Sequence, residues 1–348
     1  MPTLRPCGIR QLPAVYRLWG QGLVVDVQAG LPGGAMSFWP VLVAMLPGSS
    51  TLGENLFVLE GEDGPEAFVQ ARRRLERPEA DLVYIAPALG RAPDAAAAWN
   101  ALLTGTCLAL GQQGVERIYA SLPEDGPEVE AFQQAGFVLY TREELYCLDP
   151  GPRPHVAAET VPLVARSPEH QWALDRLYGE LVPWLVQQAE GGGGFNGYGG
   201  LARPQAGMEH VLVQGGDVIG LIQLRPVGNA YHMAIILHPR AYHWARAVIA
   251  FGLGLFQDGP PRPVYCAVRH YQGGLRTPLE ENGFRWVGTR ALLVRHTTAK
   301  ARVAPARRAE GTERQPEAAI PTALGFARLN LSSSPGGRGE ACTGKTIL

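Results

Sequence analysis

The chain has 348 residues, of which 46% are hydrophobic, and its 31 lysines and arginines nearly balance its 32 aspartates and glutamates. At roughly 100–200 residues per domain, this length predicts about two domains, each large enough to bury its own core. A formal net charge of −1 argues against a nucleic-acid partner, and no apolar run approaches the length of a membrane helix. Five scattered cysteines without a C-x-x-C pair, and no signal-peptide pattern, favour a cytoplasmic protein without a cysteine-built zinc site.

Hydrophobic periodicity predicts that one order of elements occurs twice along the chain. In the first half, a strand near Leu4 is followed by a helix over residues 11–19, a second helical piece near 38–45, strands at 56–60, 67–73 and 81–86, a helix over 94–110, a strand at 117–121, a short helix at 127–135 and a strand at 137–148. In the second half, a strand near Leu163 is followed by a helix over 168–188, strands at 211–214, 218–224 and 231–237, a helix over 241–256, a strand at 263–268, a helix over 275–282 and a strand at 284–296.

Short stretches of sequence also repeat between the two halves. A Gly-Phe corner precedes the last strand of each half, at Gly136-Phe137 and at Gly283-Phe284. Upstream of these corners, Ile118-Tyr119-Ala120 matches Val264-Tyr265-Cys266-Ala267. An internal duplication explains both the repeated residues and the repeated order of elements.

Three stretches interrupt the periodic pattern. Closely spaced prolines block both helix and inner strand, so residues 150–160 are predicted to link an N-terminal domain, 1–149, to a C-terminal domain, 161–297. The glycine-rich residues 191–200 predict a flexible loop and a candidate flap over a substrate site. Over residues 298–348 the apolar periodicity is lost, which predicts a disordered tail.

The repeated element order, together with the two Gly-Phe corners, resembles the GNAT superfamily of acyl-CoA N-acyltransferases. The resemblance covers residues 1–148 and 161–296 and implies an α/β fold with two tandem domains, each a mixed, mostly antiparallel sheet flanked by helices. It also implies acetyl-CoA as the co-substrate, no metal, and a primary amine of a small molecule or a protein as acceptor. The amine would attack the thioester directly while both are bound.

The resemblance places the coenzyme where the fourth strand meets the following long helix. In the family this loop reads Q/R-x-x-G-x-G/A, and its backbone N–H groups hold the pyrophosphate at the helix N-terminus. The second half reads R-x-x-H-x-A here, and the first half reads R-x-x-D-x-A, with Arg91 first and Asp94 in place of the glycine. Because the Asp94 carboxylate would cap the helix and repel an anion, only the second half is expected to bind coenzyme. The implied coenzyme residues are Ile236, Leu237, Arg240, His243, Trp244 and Ala245.

The family's usual general acid, a tyrosine on the short helix, is absent from both halves. Phe132 and Leu279 stand in its place, and neither can donate a proton. The resemblance leaves Tyr271 as a candidate to protonate the departing thiolate. As general base, His232 is the first candidate because its ordinary pKa suits the task, and Glu209 is the second.

Each of these signals also has a structural interpretation. His232 fits a strand histidine satisfied by its neighbours, and Arg240 fits an ordinary helix start. The aromatic cluster Trp172, Tyr178 and Trp184 fits core packing as well as the wall of an acceptor pocket. Two functions therefore remain open: an N-acyltransferase that uses the second half, with a degenerate first half, or a catalytically inactive binding or regulatory protein of the same fold.

Overall fold

The computed structural model describes residues 2–26, 54–62, 64–74, 77–91, 95–151, 161–192, 209–256 and 259–297. Five of the expectations above lie wholly or mostly outside the described residues. They are the helical piece near 38–45, Asp94, most of the 150–160 linker, most of the 191–200 loop and the tail over 298–348.

The described secondary structure follows the predicted order in both halves. The first half contains β1 (Thr3–Pro6), α1 (Leu12–Trp19), β2 (Leu23–Val24), β3 (Glu54–Gly61), β4 (Gly64–Arg74), β5 (Glu79–Ala86), α2 (Ala95–Gln112), β6 (Arg117–Pro123), α3 (Glu128–Gln134) and β7 (Val138–Leu148). The second half contains β8 (Leu163–Ala165), α4 (Gln171–Leu181), α5 (Trp184–Ala189), β9 (Glu209–Gln214), β10 (Asp217–Val227), β11 (Ala230–Leu237), α6 (Ala245–Gly254), β12 (Val264–Arg269), α7 (Arg276–Glu281) and β13 (Arg285–His296). None of the described helices is long and apolar enough to cross a bilayer.

Within the described residues, the strands of both halves join in one continuous sheet. Its order is β1-β3-β4-β5-β6-β13-β7-β12-β11-β10-β9-β8, and β2 pairs with β5 beside this path. All neighbouring pairs are antiparallel except β5 with β6 and β11 with β12. The predicted α/β class, a mostly antiparallel mixed sheet flanked by helices, is confirmed.

The last strands of the two halves are exchanged. β13 of the second half lies between β6 and β7, where Leu292 is opposite both Ser121 and Thr141. β7 of the first half pairs in turn with β12, where Val264 is opposite Leu148. Each half therefore completes its hydrogen-bonded sheet with the last strand of the other.

Helices cover both faces of this sheet. On one face, α2 buries Trp99 and Leu103 against β4 and β5, and α6 buries Val248 and Leu253 against β10 and β11. We call the opposite face the α4 face, because α4 packs there on Leu221 and Ile236 and α1 packs on Phe68 and Tyr84. The two Gly-Phe corners have the same backbone conformation, with φ of 84° at Gly136 and 85° at Gly283. This left-handed conformation favours glycine, so the repeated sequence corresponds to a repeated turn.

Two predicted helices differ from the observed ones. The helix expected over 168–188 is divided into α4 and α5, because Val182 is extended before Pro183 (ψ of 126°). The helix expected over 241–256 begins as a 3-10 helix, Pro239–Trp244, before α6. The short strand β2 was not predicted, since two residues carry no periodic signal.

Candidate active site

Two parallel strands separate from each other in each half. In the first half, pairing of β5 with β6 ends at Asp81 and Tyr119, although both strands continue for several residues. In the second half, pairing of β11 with β12 ends at Met233 and Cys266, and β11 continues to Leu237. A gap therefore opens at the carboxyl ends of these strands, which is the edge where α/β sheets commonly bind ligands.

The gap in the first half is crossed by the main chain. The Val25 N–H donates to the carbonyl of Val83 on β5 at 3.0 Å, and the Ser121 N–H on β6 donates to the Val25 carbonyl at 2.8 Å. The next residue, Asp26, is fully buried and forms an ion pair with Arg72 of β4 at 2.5 Å. The chain itself thus occupies the position where an extended ligand would enter.

The gap in the second half is crossed by a side chain instead. Gln272, in the turn after β12, donates from Nε2 to the carbonyl of Ile235 on β11 at 3.4 Å. Within the described residues no main-chain hydrogen bond bridges β11 and β12 beyond Met233. At the outer end, the ring of Tyr242 packs directly against Gly274, a contact that leaves no room for a Cβ there.

The predicted coenzyme residues have different surroundings. Arg240 and His243 are exposed, and Arg240 Nη2 lies 3.5 Å from Asp217 Oδ2. The indole Nε1 of Trp244 is enclosed and has no hydrogen-bond partner within the described ranges, which makes it an unused donor at the start of α6. Ile236, Leu237 and Ala245 are buried, with Ile236 on the α4 face and Leu237 on the opposite face. Only backbone groups of these last three residues are available to a ligand.

The two candidate bases lie on the α4 face of β11 and β9, the two strands that flank β10. His232 is directly opposite Arg225 of β10, while Tyr231 points to the other face and stacks on Phe256 at 4.0 Å between ring centroids. Glu209 accepts a hydrogen bond from Gln223 at 2.6 Å and forms an ion pair with Arg166 at 2.6 Å. The structure therefore brings His232 and Glu209 together with Gln223 and Arg225. We call these four side chains, on β9, β10 and β11, the polar strip.

The protonation of His232 follows from this setting. Burial, reinforced by the Arg225 cation, lowers the pKa of His232 to about 3, so the imidazole is neutral near pH 7. Its Nδ1 is enclosed and accepts no hydrogen bond from any residue that the structure describes. Such a histidine can orient an N–H donor but holds a proton weakly. Glu209 has both carboxylate oxygens engaged, which suits a positioning role better than that of a base.

Comparison with known proteins finds solved structures with a similar architecture. No protein-family model matches the sequence, and a search of curated proteins finds no match. A GCN5-related N-acetyltransferase from Sphaerobacter thermophilus matches in structure with a TM-score of 0.51 and 13% identity, covering 85% of this chain and 95% of that chain. A tandem GNAT protein from the clavulanic acid biosynthesis pathway has a TM-score of 0.48 and 13% identity, covering 85% of this chain and 98% of that chain.

The chain has the GNAT fold. In its two halves the positions of the family's tyrosine acid, Phe132 and Leu279, are fully buried in the cores. Tyr271 packs beside the α4 residues on the opposite face, near Arg269, whose pKa is raised against the effect of burial chiefly by the Glu190 carboxylate. Among the described residues no group of three or more His, Cys, Asp or Glu side chains is placed to hold a metal ion.

The three aromatic side chains that were considered as one cluster, Trp172, Tyr178 and Trp184, lie in different environments. Tyr178 is buried and its hydroxyl donates to Glu190 at 3.1 Å, whereas Trp172 and Trp184 are 72% and 68% exposed. The three side chains therefore do not form one wall of an acceptor pocket.

Arg72 and Arg225 were not among the candidate residues predicted from the sequence. A signal was nevertheless present, since Gln70-Ala71-Arg72 and Gln223-Leu224-Arg225 repeat the pattern Gln-x-Arg on equivalent strands.

Proposed function

We propose that this protein transfers an acyl group from coenzyme A to a primary amine, and that the second half, residues 161–297, carries the reaction. The observation behind the proposal is the difference between the two gaps. The gap between β5 and β6 contains the main chain at Val25, while that between β11 and β12 has no main-chain bridge within the described residues. Within the described residues, main chain closes the first gap, whereas an extended thioester arm entering the second gap has to displace only the Gln272 side chain from Ile235.

The residues present fit such a co-substrate. The edge of β11 beyond Met233 faces the gap with peptide groups, and these can hydrogen-bond an extended amide chain. A diphosphate would fit at the end of this strand edge, where α6 begins. The groups available to it there are the unused Trp244 Nε1 donor and the exposed side chains of Arg240 and His243. The ion pair of Arg240 with Asp217 is half-exposed on both sides and is therefore weak enough to exchange for a phosphate. Acyl-coenzyme A would supply an activated acyl group to this site.

The polar strip of β9, β10 and β11 would position the acceptor. The neutral imidazole of His232 accepts a hydrogen bond from the amine, and water removes the proton, because the lowered pKa makes His232 a weak base. No general acid is required for the leaving group, since a thiol with an ordinary pKa of about 8.5 departs as the thiolate. The catalytic contribution of the chain is therefore mainly positioning.

Coenzyme binding tests this proposal directly. Acetyl-CoA at about 100 times its Kd should stabilise the native state by about 2.7 kcal/mol, visible as a rise in melting temperature. Arg240→Glu should reduce the shift, whereas Arg285→Glu should not. The control is matched because Arg285 also forms an exposed pair with an aspartate, Asp149, but at the opposite end of β12. No shift at millimolar acetyl-CoA would refute the proposal.

A second function is favoured by one observation, the burial of Phe132 and Leu279 where the family carries its acid. A protein of this fold that binds an acyl-coenzyme A without using it would shift in the same titration. Release of free thiol in the presence of an amine panel separates the two functions, because only an acyltransferase releases it.

A further inference from the structure

The two halves carry equivalent polar side chains beside their gaps. Cross-strand register places Arg72, Asp81 and Tyr119 in one row of the first half. The same register places Arg225, His232 and Tyr265 in the matching row of the second half. In both halves a glutamine two residues before the arginine hydrogen-bonds a glutamate at the start of the neighbouring strand: Gln70 to Glu54 at 3.0 Å and Gln223 to Glu209 at 2.6 Å.

In the first half the chain shows what this arginine binds. The Asp26 carboxylate lies 2.5 Å from Arg72 Nη2, and Asp26 directly follows Val25, whose backbone lies in the gap. Burial acts to lower the pKa of Arg72, but the carboxylates of Asp26, Asp81 and Glu54 outweigh it, so the pKa is raised. The first half thus combines an extended main-chain segment in its gap with a carboxylate that binds Arg72.

In the second half the equivalent arginine, Arg225, has no carboxylate partner among the described residues. Among the described residues Arg225 forms no ion pair, and its enclosed Nε has no hydrogen-bond partner. Burial lowers the pKa of Arg225, an effect that Asp26 opposes and Arg72 reinforces. The Oε1 of Gln223 and the Nδ1 of His232, on the same face, are also enclosed and have no hydrogen-bond partner in the part of the chain that the structure describes. Enclosed polar groups without partners are costly, so their retention indicates a ligand that satisfies them.

We propose that the acceptor of the second half is a primary amine that carries a carboxylate, as an amino acid does, and that Arg225 binds this carboxylate as Arg72 binds that of Asp26. The planar guanidinium fork matches a carboxylate, and the unpartnered acceptor on Gln223 suits an ammonium N–H of the same molecule. This inference rests on the proposed function, because it names the substrate class of that site.

Calorimetric titration without coenzyme tests the carboxylate site. The probes are amino acids and the corresponding amino-acid amides, which keep the amine and lose the negative charge. The acids should bind the native protein at least tenfold more tightly than the amides. In Arg225→Gln this preference should fall to less than twofold, and Arg225→Lys should keep part of it, because it keeps the charge without the fork. Arg285→Gln, which removes an exposed guanidinium far from the gap, should keep all of it.

The outcomes separate this inference from the proposed function. Equal binding of acids and amides, or a preference that survives Arg225→Gln, overturns the carboxylate site even where acetyl-CoA binds. An Arg225-dependent preference without any acetyl-CoA binding supports the site and refutes the acyltransferase. Melting temperatures of all variants, measured in the same buffer, establish that each one is folded.

Discussion

Substitution by glutamine should change the free energy of unfolding differently at Arg72, which has an ion pair, and at Arg225, its equivalent in the second half. Arg72→Gln removes the cation that forms an ion pair with the fully buried Asp26 carboxylate. Breaking a buried ion pair costs about 3–5 kcal/mol. Because the Arg72 side chain is 34% exposed, water replaces part of the interaction, and we expect a loss of about 2–3 kcal/mol. Arg225→Gln removes a partly buried cation that has no ion pair among the described residues, so stability should change by less than about 0.5 kcal/mol or should increase.

Urea unfolding followed by tryptophan fluorescence measures both changes from the transition midpoints at constant slope. A double-mutant cycle with Asp26→Asn isolates the pair, and Arg72→Gln with Asp26→Asn together should lose at least about 1 kcal/mol less than the two single changes added. If Arg225→Gln destabilised the protein as much as Arg72→Gln, Arg225 would have a structural partner, and its assignment to a ligand would be wrong.

Four further outcomes are expected from the structure. His232 has a pKa of about 3 against an ordinary 6.5, so the unfolded chain binds a proton that the native protein excludes, and stability should fall as the pH drops from about 6.5 to about 3. His232→Gln should make that fall smaller in urea titrations at several pH values. Burial raises the pKa of the Cys266 thiol to about 12, so iodoacetamide at pH 8 should spare it until the protein is unfolded, as peptide mass spectrometry would show. A Cβ on Gly252 would lie 2.5 Å from Ile222 Cδ1, so Gly252→Ala should lower the free energy of unfolding by about 1–3 kcal/mol, and an unchanged urea midpoint would contradict this packing. Val25→Pro removes the N–H that binds β5, so hydrogen exchange at the Ser121 amide should become faster than in the unmodified protein.

The candidate site was only partly accessible to sequence reasoning. His232 and Glu209 were chosen by residue type, and the structure places them on one polar strip. Their neighbours decide what they can do, however. Burial, reinforced by the Arg225 cation, keeps His232 neutral, and Arg166 with Gln223 holds Glu209. Arg225 and Gln223 lie on the neighbouring hairpin strand, where the strand register decides which residue is opposite each base, and Arg166 comes from 43 residues away along the chain.

The sequence by itself determined the local elements, their repetition and the two glycine corners, because hydrophobic period and left-handed glycine are properties of adjacent residues. The alternation of side chains along a strand, which is also a local property, places Tyr231 and His232 on opposite faces of the sheet. Only the tertiary structure decided the exchange of β7 and β13, the entry of Val25 into the first gap and the absence of an ion pair at Arg225. The physical reason is that strand partners and ion pairs form between segments far apart in the chain, and their choice depends on the packing of the whole sheet.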